Sequence, residues 1–316
     1  MSTRSPLWGP DQAAGPGASR PLRIGTRASA LALAQAGTVA AAIGATRPVE
    51  LVTSSDRPTG GVEDKSRWVA GIEGALLRGE IDLAVHSAKD LPVELPDGLA
   101  LIGAPARADP RDVLCGAQSL AGLAPGARVG TGSLRRMAQI RAVRPDVEVR
   151  GCTGNVDTRL RKLADGDFEA IVLAAAGLHR LGLTGGTPLD DVVPAAGQGT
   201  LALEARAGDT HALAAIAGIR DPRAELELWA ERAVVDALGA GCHTPLGVHA
   251  RWAEGRLVLR AFVGLPDGSV WIVDEVSAAA AEPTVEAGEP SVEAGEALGR
   301  ELARRLVGAG AGDLLG

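Results

Sequence analysis

A single cysteine stands in a loop-forming stretch, GAGCHTPLGVHA, that begins at Gly239. Glycines precede Cys242 and Pro245 follows it, so this segment is predicted to be a loop. A thiol held on an exposed loop is reactive, whereas a buried structural thiol is inert. Cys242 is therefore a candidate for covalent attachment of another group, and the alternative is an incidental free thiol.

Arginine recurs at three predicted turns from a strand into a helix. The strings are RIGTRAS (Arg27, Ser29), VGTGSLRRM (Arg135, Arg136) and GNVDTRL (Arg159). The first turn of a helix attracts anions and disfavours cations, so arginines there suggest that a bound anion offsets them. Three such turns facing one cleft suit a ligand with several carboxylates or phosphates, and the absence of a P-loop motif disfavours nucleotide phosphate. The alternative is that each arginine makes an ordinary salt bridge.

A fourth polar string, AVHSAKDLP, follows an apolar strand directly. It carries His86, Lys89 and Asp90, and Pro92 stops the strand from continuing. The carboxyl end of a parallel strand is where ligands bind in open α/β sheets, so Lys89 and Asp90 are candidate site residues. The alternative is a solvated turn without function.

The elements that must position these residues alternate between short apolar strands and helices, in two successive runs. This alternation predicts an α/β protein with parallel sheets covered by helices, in two lobes with a cleft between them. We expect lobe 1 to comprise 21–108 and 200–218, and lobe 2 to comprise 109–199. The string PAAGQGTLALEAR, with Gln198 between two glycines, is interpreted as a hinge or crossover between the lobes, or else as an ordinary loop.

The last third of the chain, 219–316, is predicted to be a separate α+β domain. Asp221 and Pro222 open a helix, three strands follow with the short links WAEG and PDG, and a final helix ends the chain. Such links predict an antiparallel meander. Cys242 lies at the entrance to this domain.

Composition narrows the class of protein. The 316 residues are 46% hydrophobic and carry a net charge of −7, which argues against bulk nucleic-acid binding. The three cysteines are an odd number without a CxxC pair, so neither a disulfide framework nor a metal site is expected. Residues 1–20 are predicted to be a disordered tail, and no apolar run is long enough to span a membrane, so we expect a cytoplasmic protein.

Seven strings together resemble the hydroxymethylbilane synthases, also called porphobilinogen deaminases. They run in family order from about residue 22 to residue 265: RIGTRASALALAQA, DLAVHSAKDLP, GTGSLRR, GNVDTRLRKL, AAAGLHRLG, PAAGQGTLALEAR and GAGCHTPLGVHA. The resemblance implies two hinged lobes like those of periplasmic binding proteins, plus the α+β domain that holds Cys242.

The resemblance also implies a cofactor and a reaction. Cys242 matches the family cysteine that carries a covalent dipyrromethane, a primer to which four porphobilinogens are added head to tail before water releases the linear tetrapyrrole. Asp90 matches the family's catalytic aspartate, which stabilises positive charge near the pyrrole nitrogen.

The remaining site residues are implied in the same way, as ligands for the carboxylate arms of cofactor and substrate. Ten lie in the matching strings: Arg27, Ser29, Lys89, Thr131, Ser133, Arg135, Arg136, Asn155, Arg159 and Gln198. Two more, Lys65 and Trp68, correspond to a lid.

The chain departs from the family pattern at two places. The lid is usually glycine-rich, but VEDKSRWVAGIE has lost those glycines. Thr153 stands where the family usually has an arginine before the GN pair, and Arg150 lies three residues earlier. A residue three positions away along a regular strand points to the opposite face, so we do not expect Arg150 to compensate.

Two alternatives to the enzyme remain open. One is a non-catalytic or low-activity paralogue that still carries the cofactor, and the other is a protein that binds a small polycarboxylate on the same two-lobed fold. The expected partner is porphobilinogen, with no nucleic acid and no membrane, and the expected state is a monomer.

Overall fold

The computed structural model of the chain describes residues 20–54, 65–241, 244–279 and 292–315. The predicted N-terminal tail, apart from Arg20, lies outside the described residues. Within the described ranges the chain forms three β-sheets with helices packed against them. No helix in these ranges combines the length and the apolar character that crossing a membrane requires.

The strands of the described residues are, in chain order, β1 (Leu22–Arg27), β2 (Val49–Ser54), β3 (Leu83–Ser87), β4 (Leu99–Gly103), β5 (Asp112–Cys115), β6 (Arg128–Gly130), β7 (Glu148–Arg150), β8 (Ala170–Ala174), β9 (Thr187–Leu189), β10 (Leu201–Arg206), β11 (Leu246–Ala253), β12 (Arg256–Gly264) and β13 (Trp271–Ala279). The helices are α1 (Ala30–Gly44), α2 (Lys65–Leu77), α3 (Leu134–Val143), α4 (Val156–Ala164), α5 (Ala175–Arg180), α6 (Thr210–Ile216), α7 (Pro222–Ala237), α8 (Val292–Gly308) and α9 (Ala311–Leu315). A 3-10 turn, Ala88–Asp90, follows β3 directly.

The first two sheets share one pattern of strand direction. The first has the order β2-β1-β3-β10-β4 and the second the order β7-β6-β8-β5-β9. In each, three parallel strands are followed by one strand, β10 or β5, that runs antiparallel to both of its neighbours. The α/β class is therefore as predicted, but the expectation of wholly parallel sheets is wrong.

The antiparallel strands have a physical cause in the path of the chain. β5 is the first strand after the chain leaves the first sheet, and β10 is the first strand after it returns. A strand that enters its sheet from the edge where the parallel strands end must run against them. Sequence periodicity could not show this direction, and it gave no sign of β9 or α5.

Helix starts were predictable because capping side chains act locally. The Ser29 hydroxyl accepts a hydrogen bond from the backbone N–H of Ala32 at 3.3 Å and starts α1, as expected. The Asp221 carboxylate accepts from the N–H of Ala224 at 2.9 Å, and Pro222 occupies the first position of α7.

The third sheet is the predicted antiparallel meander, in the order β11-β12-β13. Its inner face packs on α7 and α8 through small aliphatic side chains such as Val248, Leu259 and Ala261, each fully buried. A core of this composition follows from a chain with only 2% aromatic residues.

Candidate active site

The carboxyl edge of the first sheet brings two of the predicted turns together. β1 and β3 are parallel neighbours, so Arg27 and Ser29 leave the sheet at the same edge as Lys89 and Asp90. Lys89 and Asp90 lie half-buried on the 3-10 turn after β3. This edge therefore presents both a cation and a carboxylate within one short turn.

The equivalent edge of the second sheet carries the other two turns. Thr131 follows β6, is 1% exposed, and its hydroxyl accepts a hydrogen bond from the N–H of Ser133 at 3.2 Å. Asn155 precedes α4, and the Arg159 side chain donates to the carbonyl of Gly154 at 2.7 Å. The turn at Gly154–Asn155 is thus held by Arg159 from within the chain.

Arg135 and Arg136 are buried in the first turn of α3, and both face Asp112 of β5. The nearest nitrogen of Arg135 lies 2.8 Å from one oxygen of the Asp112 carboxylate, and that of Arg136 lies 2.7 Å from the other. Burial would raise the pKa of Asp112, but the two guanidinium groups outweigh burial and hold it well below its usual range. Part of the anion that these arginines need is therefore supplied by the protein.

Asp112 does not balance the charge of this cluster. One carboxylate faces two guanidinium groups, so a net charge of about +1 stays buried at the cluster. In addition, Nε of Arg135 is buried without a hydrogen-bond acceptor. A buried donor without an acceptor is costly, and an anionic ligand would remove that cost.

Gln198 connects the edges of the two sheets. Its side-chain oxygen accepts from Nζ of Lys89 at 3.0 Å, and its side-chain nitrogen donates to Asp112 and to the carbonyl of Pro110, both at 2.7 Å. The structure thereby brings four predicted residues into one network: Lys89, Gln198, Arg135 and Arg136. Arg27, Ser29, Thr131, Ser133, Asn155 and Arg159 lie at the same sheet edges through the strand order.

The two glycines beside Gln198 are required by its surroundings. Gly197 has φ +71, and a Cβ there would meet Ala88 at 2.9 Å. Gly199 has φ +90, and a Cβ there would overlap the carbonyl oxygen of Ala108. Residues 197–199 form the crossing segment, which runs between the backbone near Ala88 and the backbone near Ala108. This segment fits there only with glycine at both positions.

A second buried cluster lies behind the crossing, around Arg107. Its guanidinium contacts both carboxylate oxygens of Glu231, the nearer at 2.8 Å, and one oxygen of Glu227 at 3.5 Å, while its Nε donates to the backbone carbonyl of Gln198. Burial raises the pKa values of Glu231 and Glu227. Burial would lower the pKa of Arg107, but the two carboxylates outweigh it and raise that pKa.

Two residues of this region were missed by the sequence analysis. Asp112 stands at the head of a buried apolar strand, and a single acid in that position is a signal that could have been used. Arg180 ends α5 and donates to the carbonyl of Gly199 at 2.6 Å, while burial lowers its pKa to about 10. Its signal was the arginine of AAAGLHR, which follows the apolar strand β8.

Some predicted site residues cannot be placed. Cys242 lies outside the described residues, and the side chains of Lys65 and Trp68, at the start of α2, do so as well. Thr153 is exposed, and Arg150 is paired with Glu148 at 2.7 Å on the solvent side of β7. In this arrangement Arg150 is engaged elsewhere and does not stand in for an arginine at 153.

Two family profiles match most of the chain. The profile described as porphobilinogen deaminase, dipyromethane cofactor binding domain, matches residues 22–214. The profile described as porphobilinogen deaminase, C-terminal domain, matches residues 226–308.

Whole-length relatives agree with these profiles. The porphobilinogen deaminase of Roseiflexus castenholzii is 44% identical over 310 residues, which cover 93% of this chain and 98% of that protein. The porphobilinogen deaminase of Rubrobacter xylanophilus is 43% identical over 308 residues, which cover 93% of this chain and 96% of that protein.

Solved structures give weaker likenesses. The immunogenic lipoprotein A of Vibrio vulnificus aligns with a TM-score of 0.42 at 16% identity, covering 64% of this chain and 96% of that one. Lipoprotein Tp32 of Treponema pallidum aligns with a TM-score of 0.42 at 13% identity, covering 63% and 90%. Scores of this size support no inference about the fold.

Proposed function

We propose, since this chain belongs to the porphobilinogen deaminase family, that it is a transferase that condenses four porphobilinogens head to tail into hydroxymethylbilane. The observation that carries this proposal is the network that joins the Lys89–Asp90 turn, through Gln198, to a buried cluster with surplus positive charge. Asp90 can serve as a catalytic carboxylate, and the neighbouring cations, which outnumber the protein's own carboxylates, can bind the carboxylate arms of a substrate.

The family's cofactor is dipyrromethane, which when bound supplies the primer pyrroles to which substrate is joined. The donor set fits such a group, because the cluster has one more buried cation than it has carboxylates and Arg135 has a donor without an acceptor. We propose Cys242 as its point of attachment. The residues proposed to hold the arms of cofactor and substrate are Arg27, Ser29, Lys65, Trp68, Lys89, Thr131, Ser133, Arg135, Arg136, Asn155, Arg159 and Gln198.

Asp90 is proposed as the catalytic carboxylate. It lies half-buried in the 3-10 turn at the carboxyl end of β3. A fixed carboxylate in such a place stabilises positive charge that develops on a pyrrole nitrogen, without reorganisation of solvent. Lys89, adjacent in the same turn, is proposed to bind a carboxylate arm and so to orient that ring.

The proposed organisation follows the predicted boundaries, with lobe 1 at 21–108 and 200–218, lobe 2 at 109–199 and the cofactor domain at 219–316. We propose that the enzyme is a monomer. We propose that it acts in the cytoplasm.

The intact mass of the purified protein tests the function most directly. We expect a mass that exceeds the sequence mass by a two-pyrrole adduct, with the adduct on the peptide that contains Cys242, and formation of hydroxymethylbilane from porphobilinogen. Cys242→Ser should lose both, whereas Cys115→Ser, at a buried thiol of β5, should keep both. An adduct without turnover would indicate a paralogue that only carries the cofactor, and neither adduct nor turnover would indicate a protein that binds a small polycarboxylate.

Asp90→Asn tests the catalytic assignment. The substitution keeps the size of the side chain but removes its charge, so we expect turnover to fall at least ~10²-fold with the fold intact. Asp97→Asn, at an exposed position seven residues along, is the matched control and should behave as the wild type. Near-normal turnover of Asp90→Asn would mean that another group stabilises the cation.

A further inference from the structure

Gln198 is a buried amide with charged or polar protein groups at both ends. It is 1% exposed, and both hydrogens of its side-chain nitrogen are used, one toward Asp112 and one toward the carbonyl of Pro110. Its oxygen accepts from the ammonium of Lys89, which leaves one lone pair of that oxygen for a direct contact with an arm of the ligand. Its main action is therefore through the neighbours that it holds.

The chemistry of this position admits only an amide. The ammonium of Lys89 requires an acceptor, while Asp112 and Pro110 require donors. An apolar side chain would remove one hydrogen bond from each of these three groups, and an ionised carboxylate would set one acceptor against two others.

Asp112 is the anchor of the same network from the second sheet. It fixes Arg135 and Arg136 by direct ion pairs and Lys89 through Gln198, so one buried carboxylate sets the positions of three cations. These cations come from α3, which follows β6 of the second sheet, and from the turn after β3 of the first sheet.

We propose that Gln198 and Asp112 are positioning residues, which hold Lys89 and the arginine pair of α3 at one spacing so that both sides of the cleft bind the carboxylate arms of one substrate. This inference rests on the proposed function and refines the part played by Gln198 in it. The charged groups around Gln198 on the elements packed against it are Lys89, Asp112, Arg135, Arg136, Arg107, Glu231 and Arg180.

Gln198→Glu tests the proposal through pH. The new carboxyl group can donate to Asp112 or Pro110 only when it is protonated. Burial and these two acceptors favour the protonated form, whereas Lys89 and the arginine pair of α3 favour the ionised form. At a position that is 1% exposed we expect burial and the acceptors to outweigh the cations, which raises the pKa above the ordinary value of about 4.3. We expect kcat/KM to approach the wild-type value at the acid end of the range. It should fall about tenfold or more as pH rises through that pKa, an inflection absent from the wild type.

Gln139→Glu is the matched control. Gln139 is similarly buried, at 5% exposed, and among the described residues its amide bonds to the backbone N–H and carbonyl of Val193, a carbonyl that Arg135 also contacts. The substitution should lower the unfolding midpoint without adding the new inflection to the activity profile. The same inflection in both variants, or in neither, would overturn the proposal.

A second measurement does not depend on activity. In Gln198→Glu the folded state holds the proton more tightly than the unfolded state, so the unfolding midpoint should fall, relative to wild type, as pH rises from about 4.3 through the raised pKa. Adding Lys89→Met removes the cation that favours the ionised form, and should move this inflection upward in Gln198→Glu but not in Gln139→Glu. An inflection that does not move would show that Gln198 and Lys89 are not coupled. If wild type makes no hydroxymethylbilane while the inflection moves, then the proposed function fails and the network stands.

Discussion

Two buried clusters of arginine and carboxylate flank the crossing segment at Gln198, and they carry opposite surplus charge. The cluster of the second sheet has one carboxylate, Asp112, against two guanidinium groups. The cluster behind the crossing has two carboxylates, Glu231 and Glu227, against the guanidinium of Arg107. Arg223 reaches Glu227 only from the rim, at 3.4 Å.

The two clusters differ in which groups form hydrogen bonds with their charged side chains. The two carboxylate oxygens of Glu231, which Arg107 contacts, also accept from the backbone N–H groups of Gly197 and Ala250. That cluster is therefore complete within the protein, and it joins the crossing to α7 and β11. In the Asp112 cluster Arg135 and Arg136 also donate to backbone carbonyls, those of Val193 and Val172, but Nε of Arg135 is buried without an acceptor. We infer that surplus charge satisfied by backbone is structural, and that surplus charge left unsatisfied is kept for a ligand.

Among the substitutions proposed here, removing the guanidinium of Arg107 from the Glu231–Glu227 cluster should have the largest effect on the unfolding free energy. Arg107→Met keeps most of the side-chain volume but leaves two buried carboxylates without their guanidinium, which should cost about 3–5 kcal/mol of unfolding free energy. Urea unfolding measures this loss.

Arg107→Lys is the control, since it retains the charge but not the paired geometry, and it should fall between Arg107→Met and wild type. A loss below about 1 kcal/mol in Arg107→Met would show that the two carboxylates are already neutral, and the contrast between the clusters would then fail.

Removing one cation of the ligand cluster should act on binding more than on stability. Arg135→Met leaves Asp112 paired with Arg136 and Gln198, so the unfolding free energy should drop by about 1 kcal/mol. A lost charged contact is worth about 1.5–3 kcal/mol, so the KM for porphobilinogen should rise roughly ten- to a hundredfold. If KM is unchanged and stability falls as far as in Arg107→Met, the second cluster is structural too.

The sequence predicted those features that depend on short-range signals. Ser29 and Asp221 cap helices by local hydrogen bonds, and the short links of the last domain set its meander. The direction of β5 and β10 depends on how the chain crosses between sheets, which no local pattern encodes. The sequence likewise did not predict that Asp112 pairs with Arg135 and Arg136. The acid lies 23 residues before one arginine and 24 before the other, and no residue in the first turn of α3 indicates such a partner. The resemblance of seven strings to a family gave the function, but not the contacts that hold the site.

The smallest effect on the KM for porphobilinogen is expected from a substitution at Thr153, which compares an exposed cation with the buried cations of the Asp112 cluster. Thr153 is exposed at the turn before α4, and its carbonyl accepts a hydrogen bond from Nζ of Lys162 at 3.3 Å. An arginine introduced there would be solvated, in contrast to Arg135 and Arg136, and exposed ion pairs are worth only about 0.2–1 kcal/mol.

Thr153→Arg should therefore lower the KM for porphobilinogen by no more than about fivefold, and should reduce the fraction of enzyme that carries partial chains. Native mass spectrometry during turnover measures that fraction, and Thr153→Gln, which adds length without charge, is the control. Arg150 is held by Glu148 on the other side and should not interfere. If Thr153→Arg leaves KM and the partial chains unchanged while the protein stays folded, the edge of the site has been rebuilt around threonine, and surplus positive charge matters only where the protein buries it.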